Sequence, residues 1–220
     1  MVIAIDGPAG AGKSTIAERV ARELGLVHLD TGALYRAVGL FAAENGIACD
    51  DEALTPRLCE IELKIVYKDG RQVVLLGGRD VSDEIRTPQM GELASQVSTL
   101  PGVREFLLEL QRHLAREQSV IMDGRDIGTV VLPGADVKIF LTASPQDRAG
   151  RRLEDFKRAG VEISFEQVLG DVISRDAKDS GREISPLKPA EDAVIIDTTG
   201  NSFEQSARVV LDTIRARGLI

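Results

Sequence analysis

Gly7-Pro8-Ala9-Gly10-Ala11-Gly12-Lys13-Ser14 has the spacing G-x-x-x-x-G-K-[ST], and it stands between an apolar run, Val2 to Asp6, and a helical pattern in which Ile16, Val20 and Leu24 share a face. A strand, a glycine-rich loop and a helix in that order have few uses other than wrapping backbone N–H groups around a phosphate. Glycine permits both the turn and the close approach, because a Cβ would block them. The helix begins at the phosphates, where its free N–H groups and dipole favour an anion by up to about 2 kcal/mol in a partly buried site. Lys13 would follow the β- and γ-phosphates, the Ser14 hydroxyl would be a magnesium ligand, and Thr15 extends the contacting set. Gly7, Pro8, Ala9, Gly10, Ala11, Gly12, Lys13, Ser14 and Thr15 are the expected nucleotide-phosphate residues.

The rhythm of strand and helix continues. Leu26 to Asp30, Ser119 to Asp123, Val137 to Thr142 and Ala193 to Asp197 are short apolar runs. They are separated by helical patterns carrying Leu34, Val38 and Phe41, then over Val103–Leu114, Asp147–Lys157, Phe165–Lys178 and Phe203–Arg215. Strands apolar on both faces imply a parallel sheet covered by helices, so the fold class is α/β, a doubly wound five-stranded parallel sheet. One stretch departs from the pattern: Leu63, Ile65 and Tyr67 alternate with Glu62, Lys64 and Lys68, and Asp69-Gly70 then precedes Val73 to Leu76. Asp-Gly between alternating runs predicts a hairpin. A small antiparallel β insert is expected at 57–98, within a core of 1–56 and 99–220 that carries a short lid at about 148–189.

A net charge of −8 gives no broad basic surface for a nucleic-acid polymer, so the acceptor should be small. Guanine-reading switches carry N-K-x-D, whereas Asn45 and Asn201 are followed by Gly46 and Ser202. Cys49 and Cys59 lie in no metal-ligand spacing, and His28 and His113 suggest no catalytic dyad. With neither a basic leader nor an apolar run of about 20 residues, the reading is a cytoplasmic protein with no membrane partner. A monomer is expected, for want of a heptad run. Arg148, Arg151 and Arg152 recur at helical spacing, as do Asp171, Arg175, Asp179 and Arg182 on the next helix. These charges either face solvent or hold a second phosphate, beneath a segment from Ala177 to Pro189 that could close and exclude water.

Asp6 to Thr15, Asp30-Thr-Gly-Ala-Leu-Tyr-Arg36, Ser95-Gln96-Val97, Val103-Arg104-Glu105, Asp123-Gly-Arg-Asp-Ile-Gly-Thr129 and Arg175-Asp176 with Asp179 and Arg182 resemble bacterial cytidylate kinases, in order and over essentially the whole chain. The resemblance implies transfer of a phosphoryl group from ATP, with Mg2+, to CMP or dCMP. It implies that Thr31, Tyr35 and Arg36 surround the acceptor's phosphate and sugar, and that Arg175 and Asp179 hold a sugar hydroxyl. It implies that Arg125 joins the acceptor phosphate and that Arg182 bridges towards the transferring group, so that Lys13, Arg125, Arg152 and Arg182 are the expected catalytic set. It also implies that Ser95, Arg104 and Asp126 read the cytosine. Thr31 stands where relatives often carry Ser; either hydroxyl can donate to a phosphate. From the residues alone, Asp123 and Asp126 could instead open a turn, Arg104 could be a solvated helix residue, and Tyr35 could pack on the core. Other readings of the phosphate loop are a kinase for a different small acceptor and a regulatory nucleotide-binding module.

Overall fold

Strands β1 (Val2–Asp6) and β6 (Val120–Gly124) are buried almost throughout, so neither face of the sheet they form meets water. That is the condition under which parallel strands survive, with helices covering both sides. The computed structural model describes residues 1–158 and 160–218. In chain order the remaining elements are α1 (Lys13–Leu24), β2 (Val27–Asp30), α2 (Thr31–Glu44), α3 (Asp51–Leu54), β3 (Leu63–Lys68), β4 (Arg71–Leu76) and β5 (Arg79–Asp80). They continue as α4 (Pro88–Val97), α5 (Pro101–Glu117), β7 (Val137–Thr142), α6 (Pro145–Arg158), α7 (Phe165–Ser180), β8 (Val194–Asp197) and α8 (Phe203–Arg215). The main sheet has five parallel strands, as the sequence pattern predicts, and their order is β2-β6-β1-β7-β8.

The chain divides into two compact units, Met1–Leu26 with the segment from Val120 onward, and Val27–Ser119. In the first, β1 pairs with β6 from Val2↔Val120 to Asp6↔Gly124 and with β7 from Ile3↔Val137 to Asp6↔Phe140. The strand order therefore reverses beside β1, and in open α/β sheets ligands bind at the carboxyl end of such a switch point. The phosphate loop leaves β1 at that end. Ile16, Val20 and Ala21 of α1 and Val210, Leu211 and Ile214 of α8 pack with Ile3, Ile5, Ile139 and Leu141 in one core. A second, smaller cluster joins α6 to α7 through Ala149, Val168 and Val172.

The second unit has its own core, built on Leu34, Val38, Leu54, Ile85 and Leu107. Its hairpin turns at Asp69 and Gly70, both with positive φ, as a two-residue turn of the primed type requires. β4 also pairs with β5 from Leu75↔Asp80 to Leu76↔Arg79, a third strand too short to leave a periodic signal. The sequence reading did not find α4 either, although Thr87-Pro88 marks its start. The Thr87 hydroxyl accepts from Met90 N at 3.3 Å, and Pro88 fills the first helical position, where no N–H is needed.

Candidate active site

Gly7 has a φ of 149°, and a Cβ built there would lie 1.9 Å from the carbonyl oxygen of Leu141, so the loop can leave β1 only with glycine at this position. Gly10 and Gly12 also have positive φ, and Gly12 caps the start of α1. Lys13 is buried, its Nζ donating to Pro8 O at 2.8 Å. Ser14 and Thr15 are exposed, and Ser14 Oγ donates to Asp123 Oδ2 at 2.8 Å. Asp123 is buried near the end of β6, so the turn-opening alternative gives way to a carboxylate that faces the loop.

Cations crowd the same unit. Arg125 Nε donates to Asp179 Oδ2 at 2.9 Å, and Arg182 Nη2 donates to Asp179 Oδ1 at 2.5 Å. Burial, reinforced by the charge of Arg125, lowers Arg175 to about 10 and Lys13 to about 7. Burial also lowers Arg152, whose guanidinium lies 5.7 Å from the centre of the Phe156 ring. The Nε atoms of Arg152 and Arg175 are buried without a hydrogen-bond partner. Asp126 is buried and immediately precedes a π turn, Ile127–Val131, a feature frequent at functional sites.

Arg148 and Arg151 share a helical spacing with Arg152, but they have different partners. Arg148 Nε donates to Ala143 O at 2.9 Å and Nη1 to Ala9 O at 3.0 Å, and the guanidinium pairs with Asp176 on α7. Arg151 donates to Ala11 O at 3.3 Å and to Thr198 O at 2.8 Å. Two of the three arginines therefore grip the main chain of the phosphate loop itself.

Asp6 ends β1 and accepts from Ile127 N and Gly128 N, both at 2.8 Å. Burial outweighs these two bonds and lifts its carboxyl to about 6. The folded state then holds a proton that the unfolded chain has already lost, so the Asp6 contribution to stability is complete below about pH 4 and is lost as pH rises through about 6. On that account, wild type should lose about 2 kcal/mol of unfolding free energy relative to Asp6→Asn between pH 4 and pH 7, read by urea titration. A difference between the two proteins that stays flat with pH would refute it.

In the second unit, Asp30 accepts from Ala33 N at 3.2 Å, capping α2, and pairs with Arg36 at 2.6 Å. Thr31 is the buried first residue of that helix. Gln72 of the hairpin holds Asp30 by both main-chain groups, Oε1 accepting from Asp30 N at 2.7 Å and Nε2 donating to Asp30 O at 3.3 Å. Sequence reasoning missed Gln72, since a polar residue on a hairpin carries no distinguishing signal. Tyr35 packs against the core, and its ring also lies 5.8 Å below the Arg104 guanidinium. Arg104 Nη1 donates to Ser98 O at 3.0 Å, one turn beyond the half-buried Ser95.

A protein-family model described as cytidylate kinase matches residues 3–216. The chain belongs to the cytidylate kinase family. A cytidylate kinase of Carboxydothermus hydrogenoformans is 51% identical over 97% of this chain and 97% of the relative. Those of Syntrophotalea carbinolica and Geobacter sulfurreducens are 47% and 48% identical over 99% of this chain and 93% and 94% of theirs. Among solved structures, a gluconokinase from Sinorhizobium meliloti shares the fold, with a TM-score of 0.50, 16% identity, and coverage of 98% of this chain and 91% of that one. An uncharacterized protein from Eubacterium ventriosum does so with a TM-score of 0.54, 12% identity, and coverage of 98% and 99%. No helix among the described residues is long and apolar enough to cross a membrane.

Proposed function

We propose that the chain transfers the γ-phosphoryl group of ATP to CMP or dCMP, giving ADP and CDP or dCDP. The observation that carries this reading is the cluster of buried cations, with the Lys13 side chain buried and the Nε atoms of Arg152 and Arg175 buried without a hydrogen-bond partner. Buried charges are costly unless paired. A site that keeps this many is built to receive several negative charges, which a nucleotide polyphosphate and a second phosphate provide. Phosphoryl transfer needs little covalent help, so positioning and charge neutralisation are the chemistry such a site can supply.

In this reading the loop amides, Lys13, Ser14 and Thr15 hold the ATP phosphates. Arg125, Arg152 and Arg182 neutralise charge on the moving group and on the acceptor phosphate, which Thr31, Tyr35 and Arg36 also bind. Arg175 and Asp179 take the sugar. Both Asp179 oxygens already accept from arginine, yet a carboxylate has room for about four hydrogen bonds, so a hydroxyl can be added. Magnesium suits Ser14 and Asp123, a hydroxyl and a buried carboxylate in contact, both hard oxygen donors. No cluster of three or more His, Cys, Asp or Glu among the described residues could hold a metal alone, and magnesium ordinarily completes its shell with water and phosphate oxygens. Bound there, it would neutralise charge on the β- and γ-phosphates.

For the base, residue type is the argument. Cytosine offers an exocyclic amino donor beside the N3 and O2 acceptors, the complement of the Asp126 carboxylate with the Arg104 guanidinium and the Ser95 hydroxyl. Uracil would set a carbonyl against Asp126, and an unsatisfied buried polar group costs about 1–3 kcal/mol. CMP should therefore exceed UMP in kcat/KM by about 5- to 150-fold in assays resolving the diphosphates formed. Equal use of the two would refute the base assignment, and ATP consumption indifferent to any added monophosphate would refute the kinase reading itself.

A further inference from the structure

We infer that Arg151, together with Arg148, is a positioning residue for the phosphate loop: the two guanidiniums hold the loop's carbonyls outward and so prearrange its amides for ATP. The inference rests on reading this loop as the ATP polyphosphate site. It adds what keeps the loop in its binding shape.

A loop that binds an anion through N–H groups has an equal number of carbonyls to dispose of, and a carbonyl turned towards a phosphate repels it. Here three of those carbonyls are taken by cations. Pro8 O accepts from Lys13 Nζ at 2.8 Å, Ala9 O from Arg148 Nη1 at 3.0 Å, and Ala11 O from Arg151 Nη1 at 3.3 Å. That Arg148 and Arg151 hold different carbonyls follows from α6, on which residues three apart lie on neighbouring turns and reach two different points of the loop. α6 also sits directly against the loop: a Cβ on Gly10 would lie 3.2 Å from Arg148 Cβ, and one on Gly12 would lie 3.8 Å from Arg151 Nη1.

Each arginine refers the loop to a fixed part of the sheet. Arg151 Nη2 donates to Thr198 O at 2.8 Å and Nη1 to Thr198 Oγ1 at 3.3 Å. Thr198 is fully buried, and its own N–H and hydroxyl donate to Thr142 O at the end of β7, at 2.8 and 3.0 Å. Arg148 similarly holds Ala143 O, one residue beyond β7, and it pairs with Asp176 of α7, the neighbour in sequence of Arg175. The loop is thus braced against the strand ends and against the helix that carries the site's other cations. A hydrogen bond from a charged donor to a fixed carbonyl is among the stronger kinds, and loss of preorganisation appears as loss of affinity.

Arg148 is so deeply buried that its replacement could unfold the chain, which makes Arg151, half-exposed, the decisive position. ATP is titrated calorimetrically into wild type, Arg151→Met and Arg151→Lys with no acceptor present, and KM is then measured for ATP and for CMP. The expected result is an ATP dissociation constant about tenfold weaker in the methionine variant, partly restored by lysine, with the KM for CMP within about twofold of wild type. A merely structural role would lower the melting temperature and move both KM values together; that pattern, or unchanged ATP affinity, overturns the inference. Wild type that binds ATP but leaves CMP unphosphorylated would overturn the proposed acceptor and leave the role of Arg151 standing. Wild type that fails to bind ATP would overturn both.

Discussion

Lys13→Met is expected to lower kcat about 10³-fold or more while leaving the chain folded, since a cation that stabilises transferring phosphoryl charge in a water-poor site carries effects of that order. The structure supplies both halves of the expectation. Lys13 is buried, and its Nζ has the Pro8 carbonyl as a partner inside the loop, so the charge sits where a polyphosphate would arrive. Burial and then Arg125 bring the amine down to about 7, against the pull of Asp123, Asp6 and Asp179. The fold is therefore carrying a group it would rather hold neutral. Because the folded pKa lies below the 10.5 of the unfolded chain, the penalty is present at pH 7 and fades as pH rises towards 10.5. Methionine, of similar length and uncharged, should then melt no lower than wild type, with the gap closing at alkaline pH. Turnover measured with saturating ATP and CMP, beside thermal melts at pH 7 and 10, checks both. Unchanged turnover would remove the lysine from the chemistry.

The fold was largely legible because its signals are local and repeated. Strands apolar on both faces, helices with one apolar stripe and Asp69-Gly70 between alternating runs each depend on a few neighbouring residues. The same locality limited the reading of the site. Arg148, Arg151 and Arg152 follow one helical spacing, and spacing alone assigns all three to one face. Only the packing of α6 against the loop and α7 separates two arginines that hold backbone carbonyls from one whose Nε lies buried without a partner. Gln72 and Asp30 lie 42 positions apart, and a pairing that distant leaves no trace in either segment. The π turn after Asp126 was unreadable for another reason: it is one extra residue in a helical turn, with no residue preference strong enough to mark it. The Thr87-Pro88 start of α4 is a local signal too, a capping hydroxyl followed by proline, within a segment whose earlier residues alternate as strands.

Asp179→Asn should prove costly in both stability and activity, since this carboxylate holds the arginine cluster together. Its side chain is 1% exposed and pairs with Arg125 and Arg182, themselves 21% and 8% exposed. Burial alone would raise its pKa, but Arg125 and Arg182 outweigh that and leave it below the ordinary value, so the ionised form is the one the fold is built around. An amide of the same shape keeps one acceptor and loses the charge, leaving Arg125, Arg175 and Arg182 to repel one another. Breaking a buried pair from one side costs about 3–5 kcal/mol, against about 0–1 kcal/mol for a surface pair. Since the folded pKa is depressed, the contribution is present above the unfolded value of 3.8 and is lost as pH falls below it. The stability gap between wild type and Asp179→Asn should then hold steady from pH 5 to 8 and shrink below pH 4, while kcat/KM for CMP falls about 100-fold or more as the arginines lose their reference point. Urea titrations across that range and steady-state kinetics at pH 7 provide the test. A variant within 1 kcal/mol of wild type, or one that turns over at a third of its rate, would mean that the guanidiniums are held by something other than Asp179.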